Sequence, residues 1–415
     1  MKRSTRIASI LAAGALSVAA AGTTFASSTT EPAGDAPSGK IGVILPDSAS
    51  SDRWETADRP LLAEAFDAAG IEYDIQNAEG DAANMATIAD QMITNGATVL
   101  MIVNLDSESG AQIQQKAADA GVATIDYDRL TLNGSAAVYI SFDNVAVGTL
   151  QGEGLVQCLS DKGVENPAIA VLNGSPTDNN ATLFAEGYNS VLQPLFDDGT
   201  FTLVDDQSVP DWSNEQGGRI FEQMLTAAGG AVDGVLAAND GLAGAVITVL
   251  QANNLQVPVT GQDATVDGLR NVLAGDQCMT VYKAIKAEAE AAASAAIALA
   301  NGEEPETTGT VTDTESGREV PAVLATPVPI FADNVQDVVA DGFVSADDVC
   351  SGIEDLCEQY GVGDPEAMTE GTEAMTEGTE AMDDTMSTDV MTEGTDQSMT
   401  TDAMTTEAMT DTTSA

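Results

Sequence analysis

The stretch VATIDYDRLTLNGSAAVYISFDN, residues 122–144, contains the pattern that decides the fold. Two short runs in it, residues 122–125 and 138–142, are rich in β-branched and aromatic residues and carry no charge. Parallel strands that helices cover on both faces have this almost continuously apolar composition. Polar residues follow each run at once, beginning at Asp126 and at Asp143. The stretch therefore predicts two buried parallel strands with polar side chains at their carboxyl ends.

The same alternation of apolar runs and amphipathic segments extends through most of the chain. Further strands are predicted at residues 41–45, 99–103, 169–172, 201–204, 232–237, 257–260 and 279–282. Helices are predicted at residues 60–69, 85–94 and 113–120, where apolar positions recur three and four apart. Repeated βα units of this kind indicate an α/β protein. Because two sets of similar size follow one another, we expect two doubly wound parallel-sheet lobes that bind a ligand at the carboxyl ends of their strands.

Polar residues come directly after most of the predicted strands. They are Ser51, Asp52, Arg53, Trp54, Asn104, Asp106, Asp126, Asp128, Arg129, Asp143, Asn144, Asp178, Asn179, Asn180, Asp211, Trp212, Asn239, Asp240, Gln262, Asp263 and Lys283. Carboxylates accept hydrogen bonds from adjacent hydroxyl groups, Asn donates and accepts, and Arg carries a rigid fork of donors. This mixture suits a polyol ligand. The alternative is that Asn144, Asn179 and Asp240 only cap the helices that follow them.

Trp54 and Trp212 are the only two Trp residues of the chain, and each lies beside acidic residues in one half of it. The C–H face of a sugar ring is apolar and packs on a flat aromatic ring while the hydroxyl groups point outward. We therefore expect the two indole rings to lie on opposite sides of one ligand. The alternative is that each Trp only covers the core of its own lobe.

The overall charge narrows the classes of partner. The 415 residues include 14 Lys and Arg against 66 Asp and Glu, which gives a net charge of −52, and they include no His. Such a surface repels nucleic acid but is compatible with a neutral ligand. The lack of His removes the commonest general base and metal ligand, which argues against hydrolytic and metal chemistry.

Three of the few cations, Arg53, Arg129 and Lys283, lie within the polar set that follows the strands. Buried beside carboxylates, they would neutralise negative charge that is costly to remove from water. The carboxylates concerned are those of Asp128, Asp178 and Asp263.

The two ends of the chain differ from its middle. Lys2, Arg3 and Arg6 precede a short apolar stretch, so residues 1–26 are predicted to be an export signal, with a membrane anchor as the alternative. A flexible spacer is expected at residues 27–39 and a disordered acidic tail rich in Met, Thr and Glu at residues 361–415. Capture of soft metals by the Met thioethers is the alternative role of the tail. The predicted location is the periplasm or the cell surface.

Cys158, Cys278, Cys350 and Cys357 form an even set in a chain that is predicted to be exported, so disulfides are expected. Four Cys allow three pairings. The close spacing of Cys350 and Cys357 favours a local bridge, which leaves Cys158 to pair with Cys278.

A series of short motifs resembles one known family. In chain order they are RW at 53–54, YDR at 127–129, SFDN at 141–144, GSPTDNNA at 174–181, DW at 211–212, ND at 239–240, GQDA at 261–264, TVYK at 280–283 and TP at 326–327. The chain resembles the sugar-binding components of ABC importers with the type I periplasmic binding fold, and most closely the D-xylose binders among them. The matches run in order over about residues 40–345. The chain departs from the family pattern where Ala284 follows TVYK in place of Pro.

The resemblance implies a site and a hinge. The sugar-contacting residues that it implies are Arg53, Asp128, Arg129, Asp178, Asn180, Trp212, Asn239, Asp263 and Lys283, to which the aromatic argument adds Trp54. It also implies that the chain crosses between the lobes near Asp143, Lys283 and Thr326, so that three segments form a hinge. The N-terminal lobe then comprises residues 40–143 and 284–325, and the C-terminal lobe comprises residues 144–283 and 326–360.

The resemblance implies that the chain captures a monosaccharide and delivers it to the membrane permease of an ABC importer. D-xylose is the first candidate for this sugar. A monomer without a cofactor and without catalytic activity is expected. The alternative is a binder of arabinose, galactose or glucose that acts with a sensory receptor.

Two other classes of protein are less compatible with the sequence. A sugar-responsive transcription regulator would need a basic helix-turn-helix where the chain has its predicted export signal. A sugar-converting enzyme could use Asp128 and Asp178 as acid and base. Cations beside these carboxylates would keep both ionised, which suits binding better than proton transfer.

Overall fold

A computed structural model describes residues 39–363 of the chain. The predicted export signal, the spacer up to residue 38 and the predicted tail from residue 364 onward lie outside the described residues. The strands are β1 (Lys40–Leu45), β2 (Glu72–Asn77), β3 (Val99–Ile102), β4 (Ala123–Tyr127), β5 (Val138–Phe142), β6 (Ala168–Asn173), β7 (Thr202–Ser208), β8 (Gly234–Ala237), β9 (Thr280–Tyr282), β10 (Gly309–Thr312), β11 (Glu319–Ala325) and β12 (Val328–Ile330).

Seven strands form the first sheet in the order β10-β11-β5-β4-β3-β1-β2, and all neighbours in it are parallel except the pair β10 and β11. Strand β1 lies inside the sheet between β2 and β3. Its residues Val43 and Ile44 point into the two apolar layers on opposite faces of the sheet. Burial on both faces explains why such strands are almost continuously apolar in sequence.

The sequence analysis missed four strands: β2 and β10 at the two edges of the first sheet, β11 inside it, and β12 of the ribbon. Strand β2 has the sequence EYDIQN, and its residues are exposed or half-buried because it lies at the edge of the sheet. A strand with one free edge needs no continuous apolar run, so the pattern used to find the inner strands passes over it. The same reason applies to β10 at the opposite edge.

The second sheet contains three parallel strands in the order β7-β6-β8. The prediction of a strand at residues 257–260 was wrong in detail, since this segment makes only an isolated bridge between Val235 and Val259. Strand β9 pairs with β12 in a separate antiparallel ribbon instead of extending the parallel sheet. The prediction of an α/β protein with two parallel sheets is confirmed.

Twelve helices are described within residues 39–363. They are α1 (Arg59–Ala69), α2 (Ala82–Thr94), α3 (Ser107–Asp119), α4 (Asn144–Asp161), α5 (Asn179–Asp197), α6 (Asn214–Ala227), α7 (Asp240–Ala252), α8 (Val266–Ala274), α9 (Ile285–Ala300), α10 (Val335–Ala340), α11 (Ala346–Cys350) and α12 (Glu354–Tyr360). A π-helical turn, Trp54–Asp58, precedes α1, and a 3-10 turn, Pro210–Trp212, precedes α6. Helix α2 begins earlier than predicted because Asp81 accepts from the first backbone N–H groups. No helix in this part of the chain is long and apolar enough to cross a membrane.

Helices α4 and α5 pack backbone to backbone against each other. A Cβ on Gly148 would lie 2.0 Å from the carbonyl oxygen of Phe184, and one on Gly187 would lie 2.2 Å from that of Val145. Only glycine fits at such contacts, so these two residues set how closely the helices approach.

The chain passes between the two sheets three times. Strand β5 of the first sheet leads into α4, which packs with α5 and β8. Strand β9 leads into α9, which packs on β1, β3, β4 and β5. Strand β11 leaves the first sheet at Ala325, and β12 then pairs with β9. These connections agree with the three-segment arrangement that the sequence resemblance implied.

Two disulfides are formed, Cys158 with Cys278 and Cys350 with Cys357. The pairing that the spacing favoured is confirmed. The first bridge joins α4 to the segment just before β9, and the second joins α11 to α12.

Candidate ligand-binding site

One small cavity is lined by the polar residues that the sequence singled out. All ten of the predicted site residues line it: Arg53, Trp54, Asp128, Arg129, Asp178, Asn180, Trp212, Asn239, Asp263 and Lys283. All ten are buried. They come from loops that follow strands of both sheets, so the cavity lies between the two halves of the fold.

Four further residues line the cavity: Ser50, Ser51, Phe184 and Gln262. Ser51 and Gln262 stood in the polar set after the strands, but no motif marked them as site residues. Ser50 and Phe184 were missed. Phe184 lies four residues after Asn180 on α5, and this spacing places both on one face of the helix, which was the available signal.

Arg53 is the centre of a buried ionic cluster. Its Nε and Nη2 donate to the two carboxylate oxygens of Asp58 at 2.9 and 2.8 Å. Its Nη1 donates to Asp128 at 2.9 Å, and Nη2 also donates to Glu288 at 2.6 Å. The guanidinium carbon lies 4.4 Å from the centre of the Trp54 ring. Four of its five N–H donors are therefore used within the protein.

The cluster draws residues from distant parts of the chain. Arg53 follows β1, Asp128 follows β4, and Glu288 lies on α9. Asp58 and Glu288 were not predicted, because neither follows a predicted strand. Tyr127 completes the cluster by donating from its hydroxyl to Asp58 at 2.5 Å.

Electrostatics fix the charges of this cluster. Burial would lower the pKa of Arg53, but the Asp58, Glu288 and Asp128 carboxylates outweigh it and raise that pKa well above its ordinary value. Burial would raise the pKa of Asp128, yet Arg53, Lys283 and Arg129 together lower it. Burial raises the pKa of Glu288 well above its ordinary value. Asp128 is therefore held ionised, which leaves it without the proton that a general acid needs.

Asp178 connects Arg129 to Trp212. Its Oδ2 lies 3.0 Å from Arg129 Nε and accepts from the indole N–H of Trp212 at 3.0 Å. Its Oδ1 accepts from the backbone N–H of Asn180, so Asp178 is also the N-cap of α5. The same side chain thus caps a helix and lines the cavity.

Asn180 joins the two halves of the fold. Its Nδ2 donates to the carbonyl oxygen and the carboxylate of Asp128, each at 3.0 Å. Its Oδ1 accepts from Asn144 at 3.0 Å. Asn144 is not a cap, because the preceding Asp143 caps α4. These bonds span the cleft and orient Asp128.

Asp263 and Lys283 form a simpler pair on the second half of the fold. Lys283 Nζ lies 3.1 Å from Asp263 Oδ1 and 5.5 Å from the centre of the Phe142 ring. Asn239 caps α7 by accepting from the backbone of Leu242, which leaves its amide N–H groups free for other partners. This pair therefore retains more unused hydrogen-bonding capacity than the Arg53 cluster.

Asp240 is a buried carboxylate behind the cavity and not the N-cap that the sequence suggested as an alternative. It accepts from Gln277 at 2.8 Å, Thr280 at 2.8 Å and the backbone of Thr265 at 2.9 Å, all of them neutral donors. Burial raises the pKa of Asp240 to about 7, against these hydrogen bonds.

Three residues that line the cavity have left-handed backbone conformations, with φ of 61° at Asp128, 54° at Trp212 and 103° at Asp263. Such conformations are costly for residues other than glycine and are typical of functional sites. The Trp212 ring also requires Gly174, whose Cβ would lie 2.0 Å from Trp212 Cη2. The surrounding fold therefore holds these side chains in strained but fixed positions.

Comparisons with known proteins agree with this arrangement. A family model described as a periplasmic binding protein domain matches residues 41–304. The D-xylose-binding periplasmic protein of Escherichia coli K12 is 35% identical over 307 residues, which are 73% of this chain and 90% of the relative. The multiple sugar-binding periplasmic receptor ChvE of Rhizobium radiobacter is 32% identical over 327 residues, which are 75% and 92% of the two chains.

Solved structures give the same picture. A carbohydrate transporter solute-binding protein from Chloroflexus aurantiacus, in complex with D-glucose, superimposes with a TM-score of 0.69 at 31% identity. The match covers 74% of this chain and 97% of that one. An ABC transporter solute-binding protein from Clostridium phytofermentans with bound β-D-glucose has a TM-score of 0.70 at 28% identity, with 75% and 99% covered.

Proposed function

This chain belongs to the periplasmic binding protein family. On that premise we propose that it captures a monosaccharide, with D-xylose as the first candidate, and delivers it to an ABC importer. Its relatives and structural neighbours are binding proteins, so the chain is a sugar-binding protein of the ABC-transporter type and not an enzyme. Because the relatives are named as periplasmic, we place it in the periplasm or at the cell surface.

The observation that carries the proposal is the balance of charge in the cavity. Each of three cations lies within 3.1 Å of a carboxylate, in the pairs Arg53 with Asp128, Arg129 with Asp178, and Lys283 with Asp263. A charged ligand would bring a charge into the site that no residue there neutralises, because the cations and carboxylates already pair with each other. An uncompensated charge is costly in a buried site. A neutral ligand with many hydroxyl groups uses the remaining lone pairs and N–H groups without disturbing the pairs.

The aromatic residues suit the apolar side of such a ligand. Trp54, Trp212 and Phe184 line the same cavity, and the rings of Phe184 and Trp212 pack edge to face with centroids 6.3 Å apart. Aromatic surface next to paired carboxylates is what a sugar ring with apolar and polar sides requires. We assign the sugar-contacting role to the ten predicted residues on this basis.

D-xylose is proposed over other sugars because relatives at 35% and 33% identity are named as D-xylose-binding. A second candidate is a binder of several aldoses, such as arabinose, galactose or glucose, that acts with a sensory receptor. It is favoured by the relative named a multiple sugar-binding periplasmic receptor and by the neighbouring structures with bound glucose.

We propose that the sugar enters when the two halves separate about the three crossing segments. The cavity-lining side chains are buried in the present arrangement, so a ligand can reach them only if the halves move apart. Residues 40–143 with 284–325 would then move against residues 144–283 with 326–360. A ligand that contacts both halves stabilises the closed form, which presents a composite surface to the permease.

Isothermal titration calorimetry on the purified protein, freed of bound sugar, tests this function. We expect binding of D-xylose in the micromolar range or tighter and no binding of D-glucuronate or D-glucosamine, whose charges would unbalance the ion pairs. Small-angle scattering should show a smaller radius of gyration with the bound sugar. Absence of heat with D-xylose, L-arabinose, D-galactose and D-glucose alike would refute the proposal.

A further inference from the structure

Two polar side chains of the cavity make no hydrogen bond within the protein. Gln262 is 3% exposed, and no hydrogen bond of residues 39–363 involves its side-chain amide. Ser51 lines the opposite side of the cavity, and its buried hydroxyl oxygen also lacks a partner. Buried polar groups are nearly always paired, so each unpaired group needs an explanation.

Other buried glutamines in the described residues behave differently. Gln114 donates to Asp126 at 2.6 Å, Gln151 donates to the carbonyl oxygen of Ala238 at 3.1 Å, and Gln277 donates to Asp240 at 2.8 Å. None of these three lines the cavity. One amide atom is also unpaired in Gln151, in Gln277 and in Gln336, but each of these side chains still makes at least one hydrogen bond. Among the buried glutamines of residues 39–363, Gln262 is the one whose amide makes none.

The backbone around Gln262 is held by hydrogen bonds and close packing, so the residue cannot leave the cavity by a shift of the chain. The Gln262 carbonyl oxygen accepts from the backbone of Asp240 at 3.0 Å, and Asp263 donates to Val281 at 2.9 Å. A Cβ on the preceding Gly261 would lie 2.1 Å from the Asp240 carboxylate, so the chain is pressed against the core there. The backbone is fixed at this point, and the amide lines the cavity with a donor and an acceptor unused.

We propose that Gln262 and Ser51 contact the ligand and that Gln262 decides which hydroxyl configuration the site accepts. The inference rests on the proposed function, since a sugar hydroxyl is the group that would donate to Gln262 Oε1 and accept from its Nε2. A buried amide that is built to pair with one hydroxyl discriminates strongly against a ligand that lacks it, because the amide is then left unpaired. Ser51 would hold a second hydroxyl from the opposite half of the fold.

The substitution Gln262→Leu separates a ligand contact from a structural role. It keeps the approximate volume and removes both hydrogen-bonding atoms. We expect the affinity for D-xylose to fall at least tenfold, while the thermal midpoint without sugar stays the same or rises, because a buried unpaired amide has been removed. Gln262→Met serves as a second variant with a more flexible side chain. The matched control is Gln277→Leu, which should lower the thermal midpoint because it removes a donor from Asp240.

A panel of singly deoxygenated xyloses identifies the hydroxyl. The analogue that lacks the hydroxyl bound by Gln262 should bind the wild type and Gln262→Leu with the same affinity, because neither complex contains that hydrogen bond. Ser51→Ala should weaken binding by a smaller factor, about threefold to tenfold, and point to a different hydroxyl. Unchanged affinity in both Gln262 variants would overturn the inference while leaving the proposed function intact. Failure of the wild type to bind any sugar of the earlier panel would instead refute the proposed function.

Discussion

Two groups of charged residues meet at the same cavity but use their hydrogen-bonding capacity differently. In the Arg53 cluster, one guanidinium donates four hydrogen bonds to three carboxylates, those of Asp58, Asp128 and Glu288. In the Lys283 pair, one ammonium contacts a single carboxylate, that of Asp263. Both cations are equally buried, at 3% and 4% exposure.

The difference indicates different roles for residues that the family resemblance treats alike. Arg53 uses four of its five N–H donors to hold three segments of the chain together, so it can donate at most one hydrogen bond to a ligand. Lys283 and Asp263 keep free donors and acceptors beside the unpaired Gln262 in the lining of the cavity. We infer that Arg53 mainly positions Asp128, whereas Lys283 and Asp263 mainly contact the sugar.

The largest effect is expected for Arg53→Met. Its removal leaves Asp58, Asp128 and Glu288 buried without their cation, and breaking a buried ion pair from one side costs about 3–5 kcal/mol. Urea unfolding of the protein without sugar measures this loss in the free energy of unfolding. Arg219→Met is the matched control, because Arg219 forms an exposed pair with Glu215 and should change stability by less than about 1 kcal/mol. An equally small effect of Arg53→Met would remove the distinction between the two groups.

The double substitution Asp263→Asn with Lys283→Met probes the other group. Both charges leave together, so no buried ion remains unpaired, and the free energy of unfolding should change by no more than about 1–2 kcal/mol. The affinity for D-xylose should fall about a hundredfold, because fully buried polar contacts dominate binding. Calorimetric titration measures the affinity. A large loss of stability with intact binding would assign the structural role to this pair.

The free energy of unfolding should also depend on pH, through the carboxylate of Asp240. Its pKa is raised to about 7 in the folded protein from an ordinary value of 3.8, so between about pH 4 and 7 the folded chain binds more protons than the unfolded one. The free energy of unfolding should therefore fall as the pH rises through this window, and level off above it. Asp126, whose pKa burial raises to about 6, contributes in the same direction.

Asp240→Asn isolates this contribution. The amide cannot ionise, so the variant should lack the part of the decrease in stability between pH 4 and 8 that Asp240 contributes, which is up to about 4 kcal/mol. Thermal or urea unfolding across this range, at constant and high salt to screen the surface carboxylates, gives the comparison. If the wild type and the variant have parallel pH profiles, the proton on Asp240 has been misassigned.

Much of the fold and of the candidate site was predictable. The inner strands β1, β3, β4 and β5 follow from their apolar composition, because burial on both faces demands it. The ten site residues follow from their position after strands and from the motifs. The edge strand β2 was missed, since its exposed residues carry no such constraint.

The sequence by itself determined which chemical groups are present beside the strand ends: three of the few cations, with carboxylates, amides and two Trp near them. That information is local, because a strand and the loop after it are continuous in the chain. Tertiary structure alone decided which groups are already paired. Glu288 lies 235 positions from Arg53 and yet contacts it, while Gln262 is left without a partner. Hydrogen bonds form between neighbours in space, and the distance along the chain does not reveal them.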